Sequence, residues 1–324
     1  MHWKTRMQSP FFLVFEITKA CNNNCLYCYN VWKENRDYPK EELDIDQIKR
    51  LFEKIFADEK PVGVALTGGE PMLRPDVFDI VKIIKSFGVI VGLATNGTLL
   101  NAEKVKRLVD NGVSYFEISL VSLNEERYAT LSQNNKLEWL KRSILAVSGQ
   151  RVPFTVSFTA TKINYTDIGS IIDLCFAFSV KNIAINRFVP GGQGLKNISQ
   201  LLLSNTELRS VLKIANEKAG KYHLSIAITI PVESCLIDHK DYPHLKFGAC
   251  VCGKNKWAID PAGNLRTCEQ NLEILGNLLE KNFSELSKTA AAEKFKKNDF
   301  KSSCAMCAEF KNCGGGCRFL RKYI

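Results

Sequence analysis

Apolar positions along the first two thirds of the chain alternate between two periods. Residues 11–18 form an apolar, β-branched run typical of a buried strand, whereas residues 44–57 repeat apolar positions at helical spacing. Asp44 stands where an N-cap is expected. The same patterns predict strands over 62–66, 89–94, 113–121, 152–160, 180–188 and 224–230, and helices over 76–87, 102–110, 136–147, 167–178 and 204–220.

Six strand–helix units in series predict a parallel sheet that curves into a partial barrel. After residue 190 the alternation changes: Gly-Gly-Gln-Gly at 191–194 indicates a flexible loop, and from Cys235 onward the chain is rich in loops and cysteines. The predicted fold class is α/β, with a partial (β/α)6 TIM-like barrel over residues 1–232. A small cysteine-rich, cluster-binding domain follows over 233–324.

The composition is that of an ordinary soluble protein, with 45% apolar and 24% charged residues in 324. No apolar run approaches the roughly 20 residues of a membrane span, and residues 1–10 lack the apolar stretch of a signal peptide. We therefore expect a cytoplasmic protein without membrane contact. Thiols stay reduced in that compartment, so the 12 cysteines predict metal or cluster ligation rather than disulfides.

A net charge of +10 is typical of a protein that binds nucleic acid, an acidic peptide or an acidic redox partner, and a solvated basic surface is the alternative. An acidic peptide or an acidic electron donor, such as a flavodoxin or ferredoxin, would suit it. Aromatic and basic residues do not interleave in the way typical of nucleic-acid binding, so no nucleic acid is expected.

Cys21, Cys25 and Cys28 place three thiolates in one short loop after the first predicted strand. Cysteine thiolates are the usual ligands of a 4Fe–4S cluster, and three of them leave one iron without a protein ligand. That iron could bind a substrate or cofactor directly. A zinc loop is the alternative interpretation.

The spacing of these cysteines resembles the CxxxCxφC motif of the radical S-adenosylmethionine superfamily, with Tyr27 at the aromatic position. The resemblance implies that S-adenosylmethionine chelates the open iron and is cleaved by one electron to methionine and a 5′-deoxyadenosyl radical. Other matching positions imply the cofactor pocket: Gly68, Gly69 and Glu70, followed by Pro71, match the GGE motif, and Asn96 and Ser119 match pocket positions.

Some pocket positions depart from the family pattern or stay open. Many relatives carry an Asp where this chain has Val121. The arginine that binds the cofactor carboxylate could be Arg127 or Arg142. Asn164 and Arg187 are expected near the barrel mouth, with either a structural or a functional role.

A second group of cysteines lies near the C-terminus. Cys304-x2-Cys307-x5-Cys313-x3-Cys317 and Gly263-x4-Cys268 resemble the SPASM extension of the same superfamily, which holds auxiliary 4Fe–4S clusters. The resemblance implies one cluster on Cys268, Cys317 and either Cys250 or Cys252. Structural zinc is the alternative.

A second auxiliary cluster is implied on Cys304, Cys307 and Cys313. The family pattern ends with a further cysteine that has no counterpart after Cys317 here, so the expected fourth position is an open iron, a non-cysteine ligand or Cys235. Cys235 could instead be a buried apolar residue or a hydrogen-atom donor, and Cys175 is expected in the core.

The resemblance implies an enzyme that modifies a peptide or protein, as in ribosomal peptide maturation. A small molecule such as a tetrapyrrole is the second possibility, and a non-catalytic iron–sulfur or zinc protein the third. Since 20 residues precede Cys21, we expect peptide recognition, where it is needed, to come from a separate protein.

Overall fold

An eleven-stranded sheet runs through the described part of the chain. A computed structural model describes residues 10–33, 35, 37–297, 304 and 306–324, so residues 1–9 of the polar N-terminal segment lie outside it. The strands are β1 (Phe12–Glu16), β2 (Gly63–Thr67), β3 (Ile90–Thr95), β4 (Tyr115–Ser119), β5 (Phe154–Ala160), β6 (Asn182–Arg187), β7 (Ser225–Ile228), β8 (Leu245–Phe247), β9 (Lys256–Ile259), β10 (Asn264–Arg266) and β11 (Gly276–Asn277).

The helices connect these strands in the order expected for a barrel. They are α1 (Ile45–Asp58), α2 (Val77–Lys85), α3 (Ala102–Asp110), α4 (Glu125–Ser132), α5 (Leu137–Ser148), α6 (Ile168–Ala177), α7 (Ile198–Leu201), α8 (Asn205–Tyr222), α9 (Phe283–Leu286), α10 (Ala290–Lys297) and α11 (Phe310–Cys313). Strands β1 to β8 lie side by side and pair in parallel. The predicted α/β fold with a partial TIM-like barrel is confirmed.

The first strand and helix illustrate how local sequence produces this barrel. In α1, Asp44 and Gln47 form a reciprocal capping box: Gln47 N donates to Asp44 Oδ1 at 2.7 Å, and Asp44 N donates to Gln47 Oε1 at 2.9 Å. The apolar face of the helix packs on the sheet, where Phe52 meets Phe15 of β1 edge-on with ring centroids 5.6 Å apart. Burying such an aromatic side chain contributes roughly 1.5–3 kcal/mol.

The C-terminal part of the chain adds strands to the barrel sheet. Strand β9 pairs in parallel with β1, and β10 and β11 continue the sheet antiparallel beyond it. These strands were not predicted, because each is only two to four residues long. The pairing places the residues around β9 and β10, including Cys252 and Cys268, beside the barrel. The domain boundary at residue 232 stays a prediction.

The glycine-rich segment after β6 is not a free loop. Gly191, Gly192 and Gly194 are buried, and a 3-10 helix spans Gly192–Asn197. The prediction of a flexible loop was wrong, because glycine here permits close packing of backbone against backbone rather than mobility. Within the described ranges, no helix combines the length and apolar character that crossing a membrane requires.

Candidate functional site

The loop that follows β1 carries the first three cysteines. The thiols of Cys21, Cys25 and Cys28 are half-buried, and the Cys28 N–H donates to the Cys25 carbonyl at 3.1 Å to close a turn. Burial raises the pKa of the Cys25 thiol to about 12 and also raises that of Cys21, while the nearby Lys33 ammonium opposes both shifts. The thiols of Cys21 and Cys25 therefore keep their protons until a metal displaces them.

The connection between α4 and α5 holds this cysteine loop from one side. The Leu26 N–H donates to the Leu131 carbonyl at 2.9 Å, at the end of α4. Lys33 Nζ donates to the Asn23 carbonyl at 3.1 Å, and the Asn134 side chain donates to that of Asn23. These contacts fix the backbone on both sides of Cys25.

Tyr27 occupies the aromatic position of the cysteine motif and contacts one of the thiols. Its hydroxyl shares a hydrogen bond with Cys25. Burial raises the Tyr27 pKa well above its usual value, so the phenol stays protonated and can donate this bond.

The turn after β2 runs along the chain that leads into the cysteine loop. The Gly69 N–H donates to the Thr18 carbonyl and the Glu70 N–H to the Ala20 carbonyl, both at 2.7 Å. Gly68 has φ +138°, and a Cβ there would overlap the Thr18 carbonyl oxygen. Only glycine fits this position, since other residues rarely adopt that angle and would collide with the backbone.

The Glu70 carboxylate lies fully buried and binds three donors. Its Oε1 accepts from Thr95 Oγ1 at 2.7 Å and from Met72 N at 3.1 Å, and its Oε2 accepts from Asn96 N at 2.8 Å. Burial raises its pKa, although the three hydrogen bonds oppose the shift. Glu70 thus fixes the Thr-Asn-Gly turn after β3, and Pro71 begins the 3-10 turn Pro71–Leu73 beside it.

A chain of amide and hydroxyl contacts joins that turn to the cysteine loop. Asn96 Nδ2 donates to Asn22 Oδ1 at 2.8 Å, and Asn22 Nδ2 donates to Thr98 Oγ1 at 2.8 Å. Thr98 N donates back to Asn96 Oδ1 at 3.0 Å. Asn22 directly follows Cys21, so the ends of β1 and β3 are bound together next to the first thiol.

Further around the barrel, Ser119 ends β4 with an exposed side chain, opposite Ser157 of β5. Asn164 is fully buried. Its Nδ2 donates to the Val121 carbonyl at 2.7 Å, and its Oδ1 accepts from Thr161 N at 2.7 Å. Its contacts are those of a structural residue that links the ends of β4 and β5.

The candidate arginines have partners of their own. Arg127 donates two hydrogen bonds to Asp167. Its Nε donates to Oδ2 at 2.9 Å, and a terminal nitrogen donates to Oδ1 at 2.5 Å. Arg142 is exposed and lies 5.8 Å from the centre of the Trp139 ring. Arg127 is therefore already paired with a carboxylate, whereas Arg142 contacts an aromatic ring.

Arg187, at the end of β6, forms a buried ion pair with Glu233 at 3.0 Å and donates to the Pro231 carbonyl. Gly316 packs against this pair, since a Cβ there would overlap the Glu233 carboxylate. Burial raises the pKa of the neighbouring Cys317 thiol, and the positive charge of Arg187 opposes this shift. The ion pair therefore joins the barrel to the C-terminal cysteines.

Cys252 lies between Cys250 and Cys268 and contacts both. A hydrogen bond joins the thiols of Cys250 and Cys252, and another joins Cys252 to Cys268. The bond to Cys252, together with burial, raises the Cys250 pKa far above its usual value. The buried Cys317 is close enough to Cys250 for the two groups to interact electrostatically. The two alternatives from the sequence, Cys250 and Cys252, therefore lie next to each other, and both are candidate ligands.

An ion pair borders these cysteines. Lys256 Nζ lies 2.9 Å from Glu269 Oε1, and the Cys252 thiol, the Cys268 thiol and a Glu269 oxygen all lie within 4.8 Å of one another. Burial opposes charge on Lys256, but Glu269 and the two thiols outweigh it and raise its pKa well above the usual value. A positive charge therefore stands next to the cysteines.

The remaining cysteines differ in exposure. Cys304 is half-buried, Cys307 is exposed and Cys313 is buried, with Gly315 N donating to Cys313 Sγ at 3.3 Å. Cys235 is exposed on the segment after β7, so it is not the buried apolar residue of one alternative. Cys175 is fully buried in α6, which confirms the core prediction.

Residues 15–175 match the family model of the Radical SAM superfamily. The chain contains a radical SAM domain. Its matched segment runs from β1 to α6 and includes the cysteine loop, the Gly68–Glu70 turn and the Asn96 turn described above.

Curated relatives align with this radical SAM protein along most of its length. An AdoMet-dependent heme synthase of Methanosarcina barkeri (strain Fusaro / DSM 804) is 26% identical over 335 residues, which cover 96% of this chain and 91% of the relative. A PqqA peptide cyclase of Gluconobacter oxydans (strain 621H) is 25% identical over 319 residues, which cover 95% and 86%.

Solved structures share the fold over nearly the whole chain. Streptococcus suis SuiB bound to S-adenosylmethionine gives a TM-score of 0.74 at 16% identity, covering 95% of this chain and 73% of SuiB. The anSMEcpe enzyme with bound AdoMet gives 0.73 at 18% identity, covering 95% and 89%. The shared fold thus extends well beyond the segment that the family model matches.

The radical SAM domain implies a 4Fe–4S cluster and S-adenosylmethionine as cofactors. The donor set fits the cluster, because three thiols of one loop stand at the end of a barrel strand, and soft thiolates are the ligands that iron–sulfur clusters take. Cys250, Cys252, Cys268 and Cys317 are candidate ligands of an auxiliary cluster for the same reason.

Sequence reasoning located the motifs but missed the residues that join them. The structure brings Tyr27, Gly68, Gly69, Glu70, Pro71 and Asn96 to the cysteine loop or to its bonded neighbours. The contacts of Asn22 with the Asn96 turn were not predicted. The position of Asn22 directly after the first motif cysteine was the available signal.

Proposed function

We propose that this radical SAM enzyme modifies a side chain or the backbone of a peptide or protein, as in ribosomal peptide maturation. The proposed substrate class rests on the ion pairs that two arginines form. Arg127 and Arg187 are paired with Asp167 and Glu233, so neither is available to bind the carboxylates of a tetrapyrrole. A peptide can be bound through its amide and apolar groups without either arginine.

In the proposed reaction, Cys21, Cys25 and Cys28 hold the radical cluster, which supplies the electron that cleaves S-adenosylmethionine when both are bound. Gly68, Gly69, Glu70, Pro71, Asn96, Ser119 and Tyr27 form the cofactor pocket. Glu70 acts on the pocket indirectly, because its carboxylate oxygens hold the Thr95–Asn96 turn in place. The sulfur ligation of Cys25 is supported by the hydrogen bond that it shares with Tyr27.

The auxiliary cysteines have a supporting role in this proposal. Cys250, Cys252, Cys268 and Cys317 hold one cluster that accepts an electron or binds substrate, and Lys256 balances part of its negative charge. Cys304, Cys307 and Cys313 hold a second cluster, with Cys235 as its fourth ligand or as a hydrogen-atom donor. The SPASM type of this region is part of the proposal.

The proposed partners follow from the chemistry and the charge. An acidic flavodoxin or ferredoxin supplies electrons to this basic protein, and a separate recognition protein presents the peptide. A cytoplasmic location provides the reducing conditions that the thiols need.

Peptide substrates are also supported by relatives of this fold. A structure of SuiB contains the precursor peptide SuiA, with a TM-score of 0.74 to this chain. The second candidate function is radical modification of a tetrapyrrole side chain, which the similarity to the AdoMet-dependent heme synthase favours.

One experiment separates these functions. The anaerobically reconstituted protein is reduced and given S-adenosylmethionine with either a short peptide encoded beside its gene or an iron porphyrin bearing carboxylate side chains. The proposal predicts 5′-deoxyadenosine and a mass change of the peptide alone. A mass change of the porphyrin alone would establish the second candidate, and zinc without 5′-deoxyadenosine would exclude both.

A further inference from the structure

The segment after β6 contacts the radical-cluster loop with its backbone and with one side chain. Gly194 N donates to the Cys28 carbonyl at 3.0 Å. Asn197 Nδ2 donates to the Leu26 carbonyl at 3.0 Å and to the Gln193 carbonyl at 3.2 Å. Both receiving residues of the loop lie in its Cys-Leu-Tyr-Cys stretch, so the segment binds the loop between two of the ligand cysteines.

Gly192 packs directly against the backbone of the radical-cluster loop. Its φ is +45°, and a Cβ there would overlap the Asn30 carbonyl oxygen and lie 3.0 Å from that of Cys28. Asn30 in turn donates to the Gly68 carbonyl at 2.9 Å. The segment therefore packs against a loop that is already tied to the Gly68–Glu70 turn.

Leu26 is held from two opposite sides. Its N–H donates to the Leu131 carbonyl at the end of α4, and its carbonyl accepts from Asn197. The peptide groups on either side of Leu26 cannot turn without breaking one of these bonds. Cys25 precedes Leu26 directly, so the position of its thiol depends on both contacts.

We propose that Asn197 is a positioning residue for the radical cluster, which it serves through the Leu26 carbonyl, with Gly192 providing the close contact that this bond requires. Asn197 donates only to backbone oxygens in the contacts described above, so it acts through the loop. The role is independent of the substrate class.

The test compares Asn197→Ala and Asn197→Asp with Ser199→Ala, which changes an exposed residue of the neighbouring α7. After anaerobic reconstitution, two quantities are measured. The first is the rate at which a chelator removes iron. The second is the change that S-adenosylmethionine causes in the EPR signal of the reduced protein, because only a cluster with an open iron responds directly to that cofactor.

We expect both Asn197 variants to lose the AdoMet-responsive signal about fivefold faster than Ser199→Ala, as the loss of one hydrogen bond implies. Signals that do not respond to AdoMet should decay at the unchanged rate, and the melting temperature of the iron-free protein should stay the same. Equal rates in all three variants would overturn the proposal. So would a uniform loss of all signals with a lower melting temperature, because it would indicate a merely structural residue.

Gly192→Ala provides a second, stronger test, since its Cβ would push on the Asn30 carbonyl. It should shift or broaden the AdoMet-responsive EPR signal itself. An unaltered signal at normal iron content would contradict the close contact.

Discussion

The two cysteine-bearing regions of this molecule are organised by different contacts. In the loop after β1, residues next to the cysteines bind other parts of the barrel: Asn22 reaches the Asn96 turn, and Leu26 reaches α4 and the segment after β6. In the C-terminal region, the thiols of Cys250, Cys252 and Cys268 contact one another. The barrel thus shapes the first site, whereas the cysteines themselves make up much of the second.

The largest expected effect separates the two regions by function. Cys25→Ala removes a proposed ligand of the radical cluster and should abolish 5′-deoxyadenosine formation, while the proposed auxiliary site should keep its iron. Cys268→Ala should abolish peptide modification but leave most 5′-deoxyadenosine formation intact, because Cys268 is not among the proposed ligands of the radical cluster. Iron analysis and chromatography of the products measure both effects. The comparison fails if Cys268→Ala stops cofactor cleavage as completely as Cys25→Ala.

Removal of the metal should affect the backbone of the two cysteine regions differently. In the iron-free protein, the amides of residues 21–28 should exchange hydrogen within about tenfold of their rate in the iron-loaded protein, because hydrogen bonds to other parts of the chain hold this loop. Amides of residues 250–252 and 268–271 should exchange about a hundredfold faster once their thiols lose the metal. Mass spectrometry of exchanged peptides gives both rates. Equal loss of protection in the two regions would show that the barrel does not preform the first site.

The sequence predicted the elements whose signal is local. The capping box of Asp44 and Gln47 and the apolar face of α1 are examples, and the strands of the barrel differ from their predicted bounds by only a few residues. Strand β9 was missed because four residues carry little periodicity and its stability comes from pairing with β1, more than 240 positions earlier. Helix α4, capped by Asn124, was missed because its apolar face is weak.

The site was predictable in its motifs and not in its connections. Cysteine spacing identified the candidate ligands, whereas the role of Gly192 depends on which backbone it meets in the folded chain. The same limit applied to Arg127, since its partner Asp167 is 40 positions away. Glycine-rich sequence indicated mobility, but tertiary packing used the missing side chains for close contact.

A smaller effect is expected for the buried carboxylate that joins the turns. Glu70→Gln presents an amide group where three donors now converge, and leaving one donor unpaired costs about 1–3 kcal/mol. We expect S-adenosylmethionine to bind about tenfold more weakly, which follows from roughly 1.4 kcal/mol. Calorimetry of the reconstituted protein measures the affinity. Asp110→Asn, at an exposed ion pair, is the control and should bind normally, while normal binding in Glu70→Gln would contradict the role of this residue.

The smallest effects concern the two arginines. Arg127→Ala leaves the buried Asp167 without its cation and should lower the free energy of unfolding by about 1–3 kcal/mol. Arg142→Ala changes only an exposed contact with Trp139 and should stay within about 0.5 kcal/mol. Urea unfolding measures both, and cofactor affinity should be normal in each variant. A tenfold loss of affinity in either one would identify it as the arginine that binds the cofactor carboxylate.

The most direct measurement of the central claim is cofactor cleavage by the reconstituted, reduced protein. With S-adenosylmethionine, the wild-type chain should form 5′-deoxyadenosine and methionine in equal amounts, and a variant with Cys21, Cys25 and Cys28 all replaced by Ala should form neither while it retains auxiliary iron. Equal product from that variant, or none from an iron-loaded wild type under any reductant, would contradict the account.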